Sequence, residues 1–366
     1  MDPRIDTMAK ILVEHSARIQ AGDRVLLEGT TASEPLVRAL FRQVLLKGGH
    51  PYPLLKFPEQ NRALFQFSAL DQLDHEDQLR KFAYENFESR IRIHSLTNTK
   101  QLNEFPPQNQ MIYQKAQSAI LETQMRRGAA DEFKWVTTLF PTAAYAEEAG
   151  MSLKEFEDFV FGACYADQED PVGIWQQVKE DQKAALAVFQ DGEQVALSGP
   201  NIDLELSIKG RTFKNCYGVH NMPDGEIYTG PVEDSVNGWV RYSYPAIYEG
   251  VVVRGIELTF RNGRVVEASA DDQEDFLREM LDTDEGSRYL GEFAVGTNSK
   301  IQQFTGNILF DEKIGGTIHM AVGAGYPETG SKNKSAVHWD MICDMRSNST
   351  IKVDGNIVYR DGSFLS

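Results

Sequence analysis

Residues 202–210 read IDLELSIKG. The alternation is strict, with Ile202, Leu204, Leu206 and Ile208 on one face and polar residues between them. That period of two marks a strand with one face buried, and it changes the style of the chain. Downstream, IELTFRNGRVVEASA (256–270) is two strand-like runs joined at Asn262-Gly263, a hairpin signal. TIKVDGNIVYRDG repeats the pattern at Asp354-Gly355. One helix, DDQEDFLREMLD (271–282), opens on acidic residues suited to a helix N-terminus. The second half therefore reads as a β-rich α+β domain.

Upstream the pattern is different. DRVLLEG (23–29) is a short apolar run, followed by SEPLVRALFRQVLLKGG (33–49) with Leu36, Leu40 and Val44 on one helical face. HPYPLLKF is extended, SRIRIHSL (89–96) and KWVTTLFP (134–141) read as strands, and 152–165 and 171–191 read as helices. Strand–helix alternation of this kind predicts an α/β domain, a mostly parallel sheet covered by helices. The expected organisation is an α/β domain over 1–190 and a catalytic α+β domain over 191–366.

Composition narrows the function. A formal net charge of −17 argues against nucleic acid, whose binding requires Lys and Arg to neutralise phosphates. Three widely spaced cysteines, Cys164, Cys216 and Cys343, form no disulfide framework and read as buried thiols in a reducing cytosol. The N-terminal stretch MDPRIDTMAKILVEHSARIQ lacks a signal-peptide layout, and no apolar run approaches membrane-spanning length. A cytoplasmic protein with no membrane partner is the expectation. The first strand–turn–helix lacks GxGxxG, GYPETGSK (325–332) misses the P-loop spacing, and HExxH and GxSxG are absent.

Two histidines stand apart from the other five. In GGTIHMAVGAG (315–325), Thr317, His319 and Ala321 share one strand face, opposite Ile318, Met320 and Val322. In SAVHWDMICDM (335–345), His338, Asp340 and Ile342 share a face opposite Val337, Trp339, Met341 and Cys343. Burying His and Asp without partners costs several kcal/mol. A metal ion supplies partners, and i, i+2 spacing puts two donors about 6–7 Å apart along a strand. Glu226 follows the turn NMPDG and opens a strand; Glu292 lies in the apolar segment RYLGEFAVGTN; Tyr326 closes the loop after the His319 strand. The competing readings are a salt bridge from Glu292 to Arg288, an ordinary packed Tyr326, and a strand-end role for Asp344. His220 takes a structural reading.

The blocks NMPDGEIYTGPVEDSVNG, GSRYLGEFAVGTN, ILFDEKIGGTIHMAVGAGYPETG and KSAVHWDMI resemble, in order, the signature blocks of the aminopeptidase T / aminopeptidase S family of metallopeptidases. The resemblance implies a two-metal exopeptidase site in the C-terminal domain and a homodimer. It implies metal ligands Glu226, Glu292, His319, Tyr326, His338 and Asp340, and demotes Asp344. An oxygen-rich set with two histidines suits two divalent ions, Zn, Co or Mn, with Mg also compatible. Glu292 is the candidate catalytic carboxylate, with Glu312 and Glu328 as weaker candidates for proton transfer. The expected substrates are peptides with a free N-terminus. The alternatives are another metal-dependent amide hydrolase, such as a dipeptidase or amidase, and a non-catalytic metal-binding protein.

Overall fold

The computed structural model describes residues 2–365. It divides into two compact units, one of residues 2–175 with 218–223, the other of 176–217 with 224–365. The division falls inside the helix Pro171–Ala187, whereas the boundary expected near 190 lies just beyond that helix's end. Residues 218–223 return to the first unit because Asn221–Met222 pairs in parallel with Thr137 and Thr138. A two-residue strand carries no periodicity that a sequence can display.

The first unit is built on a five-stranded sheet in the order His50–Lys56, Arg24–Thr30, Ser89–His94, Lys134–Leu139, Asn221–Met222. Every pairing in it is parallel. The helix Glu34–Leu46 buries Leu36, Leu40 and Val44, the residues its periodicity selects. A cluster of Leu26, Ala83, Tyr84, Phe87, Ile120 and Phe133 joins the sheet to the helices Gln78–Asn86 and Ser118–Ala129. His220 stacks on Trp135 at 4.2 Å between ring centroids, in keeping with its structural reading.

Glu28 is buried beside this cluster, 2.8 Å from Arg80 Nε and 2.9 Å from Tyr84 Oη, with Arg92 at 3.4 Å. Burial works against its charge, but Arg92, Arg80 and Arg90 outweigh burial and hold the carboxyl down at about 2. A carboxyl depressed on folding stabilises the native state above its ordinary value of 4.5, and that stability is lost as pH falls towards 2. Glu28→Gln should therefore remove up to about 3 kcal/mol near neutral pH and flatten the acid limb of stability below about pH 5. Thermal unfolding followed across that range checks it; an unchanged acid limb refutes the role.

The second unit carries two large antiparallel sheets and a two-stranded antiparallel ribbon, Ala246–Tyr248 with Val251–Val253. The larger has eight strands, and the two hairpins expected from the sequence lie in it, Glu257–Arg261 with Arg264–Ser269 and Thr350–Val353 with Asn356–Arg360. Both turns place two successive residues at positive φ, Asn262 and Gly263 at 49° and 81°, Asp354 and Gly355 at 48° and 85°. That geometry matches the strand twist and favours Asn-Gly and Asp-Gly. The smaller sheet runs His338–Asp344, Thr317–Gly323, Leu290–Gly296, Glu226–Thr229, Lys214–Cys216. One apolar core unites the sheets: Leu197, Leu204, Leu206 and Leu258 from the larger meet Phe293, Ile318, Met320, Trp339 and Met341 from the smaller. Among the described residues no helix is long and apolar enough to cross a membrane.

Candidate metal centre

The smaller sheet gives one face to the core and the other to polar donors. Ile318, Met320 and Val322 and then Val337, Trp339, Met341 and Cys343 all join the apolar core, as strand parity requires. The register fixes the opposite face. Ala321 is paired with Asp340 on one side and Glu292 on the other. His319 is paired with Ala294, His338 with Gly323, and Glu226 with Gly296. Small residues thus alternate with donors across four neighbouring strands, which leaves room between the donor tips.

The tips converge. His319 Nε2 lies 3.3 Å from Glu226 Oε2 and 3.6 Å from Glu292 Oε1. His338 Nε2 lies 3.4 Å from Glu292 Oε2, 3.6 Å from Asp340 Oδ2 and 3.4 Å from Tyr326 Oη. Glu292 therefore spans the two histidines, one carboxylate oxygen to each. Its competing reading fails, because Arg288 pairs with Asp282 at 2.7 Å. Asp344 is taken up by Arg346, away from the donor set. His338 Nδ1 sits 2.7 Å from the Ala324 carbonyl, which places the proton on Nδ1 and turns Nε2 to the donors.

Two local devices aim Glu226. Gly225 at φ +124° brings the chain against Asn298, where an added Cβ would lie 2.8 Å from the Asn298 Cβ. Asn298 in turn donates from Nδ2 to the Asp224 carbonyl at 2.8 Å.

The site fits metal ions. Glu226 Oε2, His319 Nδ1 and Asp340 Oδ1 are buried side-chain atoms with no hydrogen-bond partner among the described residues. Leaving such atoms unpaired costs about 1–3 kcal/mol each, more for charged groups. Ligand atoms of Glu292, His319 and Asp340 lie within 4.8 Å of one another, as do those of Glu226, Glu312 and His319. The donors are carboxylates and imidazoles, a set suited to divalent transition ions.

Protonation follows the same crowding. Burial raises Glu226 to about 8 against the pull of Lys313, and raises Asp340 to about 6 against that of His338. Burial opposes charge on His319 and His338, but Glu292 with Glu226 or Asp340 raises them to about 10 and about 9. Burial also opposes charge on Glu292, yet the two histidines hold it at about 2. Tyr326 is pushed up by burial and then by Glu292 and Asp340. The site without metal holds protons that a bound cation displaces.

Some residues at this face escaped the sequence. Lys313 is fully buried, 3.3 Å from Glu226 Oε1 and in contact with Glu312. Cys216, read simply as a buried thiol, is half-buried and groups with Asp224 and Glu226. Tyr228 packs against Tyr326 with the rings tilted by 58° and 5.2 Å between centroids, and it donates to Glu328 at 3.4 Å, so Glu328 is engaged outside the donor set. The residues around Lys313 form a turn after the short helix Ile308–Asp311, with no period to reveal what is buried.

The thermophilic metalloprotease (M29) family model matches residues 1–364. The chain belongs to this family. It is 27% identical to aminopeptidase 2 of Geobacillus stearothermophilus, over 99% of this chain and 95% of that one. It is 26% identical to aminopeptidase AmpS of Bacillus subtilis (98% and 93%) and 26% to aminopeptidase T of Thermus thermophilus (98% and 95%). Among solved structures, wild-type AmpT from Thermus thermophilus superposes with a TM-score of 0.86, at 22% identity over 99% of each chain. A 2,5-dihydroxypyridine dioxygenase from Pseudomonas putida shares the fold at a TM-score of 0.60 and 14% identity. The α/β unit followed by a β-rich antiparallel unit is thus the AmpT-like fold, in keeping with the patterning of the two halves of the sequence.

Proposed function

We propose that this chain is a metal-dependent aminopeptidase that removes the N-terminal residue from peptides. The observation that carries it is the convergence of six donors, five on one sheet face and Tyr326 from the adjoining loop, with Glu292 spanning two histidines and three donor atoms left unpaired in the interior. Two divalent ions, Zn, Co or Mn, with Mg also compatible, match this set. Glu226 and His319 would hold one and His338, Asp340 and Tyr326 the other, with Glu292 lending a single carboxylate oxygen to the set and keeping the second for a proton. Such ions, when bound, activate water as a nucleophile near neutral pH and polarise a carbonyl.

The chain's own groups do the rest. Glu292 keeps both histidines oriented and is the candidate to accept the proton from water and return it to the leaving amine. The Ala324 carbonyl fixes the His338 tautomer. The carboxylate-rich face attracts the α-ammonium of a free peptide N-terminus, which is why an exopeptidase is favoured over an amidase. Three cysteines that are all free fit a reducing cytosol, and the family resemblance suggests a homodimer, which sedimentation can read.

The test compares free and N-acetylated forms of the same short peptides with protein loaded with Zn, Co or Mn. Cleavage of free peptides alone, lost with a chelator and restored by metal, is expected. Equal cleavage of acetylated peptides would instead support an amidase, and a protein that binds metal without hydrolysis a binding role.

A further inference from the structure

The interior of the metal centre contains a cation of its own. Lys313 has no solvent exposure, and its ammonium lies 3.3 Å from Glu226 Oε1 while touching Glu312 Oε1. The other oxygen of Glu226, Oε2, is buried, lacks a hydrogen-bond partner and lies 3.3 Å from His319 Nε2. The two oxygens of this carboxylate therefore face different tasks. Glu312 has a carboxylate oxygen within 4.8 Å of ligand atoms on both Glu226 and His319, close enough to compete for an ion there.

We infer that Lys313 is a positioning residue of the metal centre. It occupies Glu226 Oε1, so that Glu226 addresses a metal ion through Oε2 alone, and it holds Glu312 back from the ligand set. Glu312 then stays paired with Lys313 beside the ligand set rather than joining it. The inference rests on the two-ion reading given above and adds a role for a residue outside the six donors.

The alternative, an ion pair that merely braces the loop after Ile308–Asp311, makes the opposite prediction. Losing a brace loosens the donors and weakens metal binding. Losing a positioning cation does the reverse. The site becomes more negative by one charge, and both Glu226 Oε1 and Glu312 are released to coordinate. A unit charge ~5 Å from a divalent ion changes its affinity about tenfold even with water-like screening.

The experiment titrates Co(II) into the full-length protein and into K313M, K313Q and K313R, reading affinity and the visible absorption of the bound ion. Both neutral variants should bind Co(II) about tenfold or more tightly than wild type, with weaker absorption as the coordination number rises, and with lower kcat. K313R keeps the charge and should retain the wild-type affinity and spectrum. Co(II) binding by K313M or K313Q that is unchanged or weaker, with an unaltered spectrum, overturns the inference. If K313M does not fold, K313Q, which retains hydrogen bonding, decides the matter. Failure of both to fold while K313R folds assigns Lys313 to the fold and likewise overturns it. A wild-type protein that binds no Co(II) at all fails at an earlier point, overturning the metallopeptidase reading itself.

Discussion

Glu292→Gln should lower kcat/KM for free peptides by roughly 10³-fold, about 4 kcal/mol of transition-state stabilisation. The substitution is isosteric, so the fold should survive; what changes is the charge at the point where the site is most interdependent. Glu292 puts one oxygen towards His319 and the other towards His338. Replacing one oxygen with an amide removes a charged ligand from one ion and leaves the neighbouring histidine facing an NH₂ group. A weakened ligand set costs about 10–100-fold and a lost proton acceptor about 10²–10⁴-fold, and the two act on the same step. His338→Ala, Asp340→Ala and Glu226→Ala each remove one donor and should also abolish metal-dependent release of N-terminal residues. Metal content distinguishes the cases: Glu292→Gln should retain at least one ion more tightly than His338→Ala does. A Glu292→Gln protein with more than a tenth of wild-type kcat/KM would rule out Glu292 as the central carboxylate.

Most of this centre is visible in strand parity. His319 and the His338–Asp340 pair are legible because a period of two assigns each to the face opposite Ile318, Met320, Trp339 and Met341, and the structure buries all four of those in one core. Parity alone does not set Asp344 apart, since it shares the face of His338; its carboxylate is taken up by Arg346 and Tyr244. Glu292 is ambiguous in the sequence for a related reason. A nearby Arg288 offered a simple partner, and it took the fold to show that Asp282 holds that arginine. Lys313 and Cys216 stayed hidden because burial in a turn or on a three-residue strand leaves no periodic trace. The helices between 60 and 129 leave little trace in the sequence as well, since they are short, with exposed apolar residues such as Phe67, Leu79 and Met111 that blur the amphipathic signal.

Trp339→Ala should destabilise the second unit by about 3–5 kcal/mol and, through it, lower the metal affinity of a site the side chain never touches. Trp339 is 1% exposed, stacked on Tyr248 at 5.3 Å and edge-on to Phe276 at 5.9 Å. It points into the core from the residue between His338 and Asp340, so its packing sets the height and twist of the strand that carries both donors. Truncation leaves a cavity that the neighbouring strands close only in part, and any shift of the backbone moves His338 and Asp340 together. Trp339→Phe separates packing from volume. The indole Nε1 is buried with no hydrogen-bond partner among the described residues, so losing it removes an unpaired donor while most of the aromatic contact is kept. The Phe variant should therefore cost less than half of what the Ala variant costs and should retain near wild-type metal affinity. Chemical denaturation with and without metal measures both effects. Equal losses for Phe and Ala, or an Ala variant with normal metal affinity, would break the proposed link between the core face of this strand and its donor face.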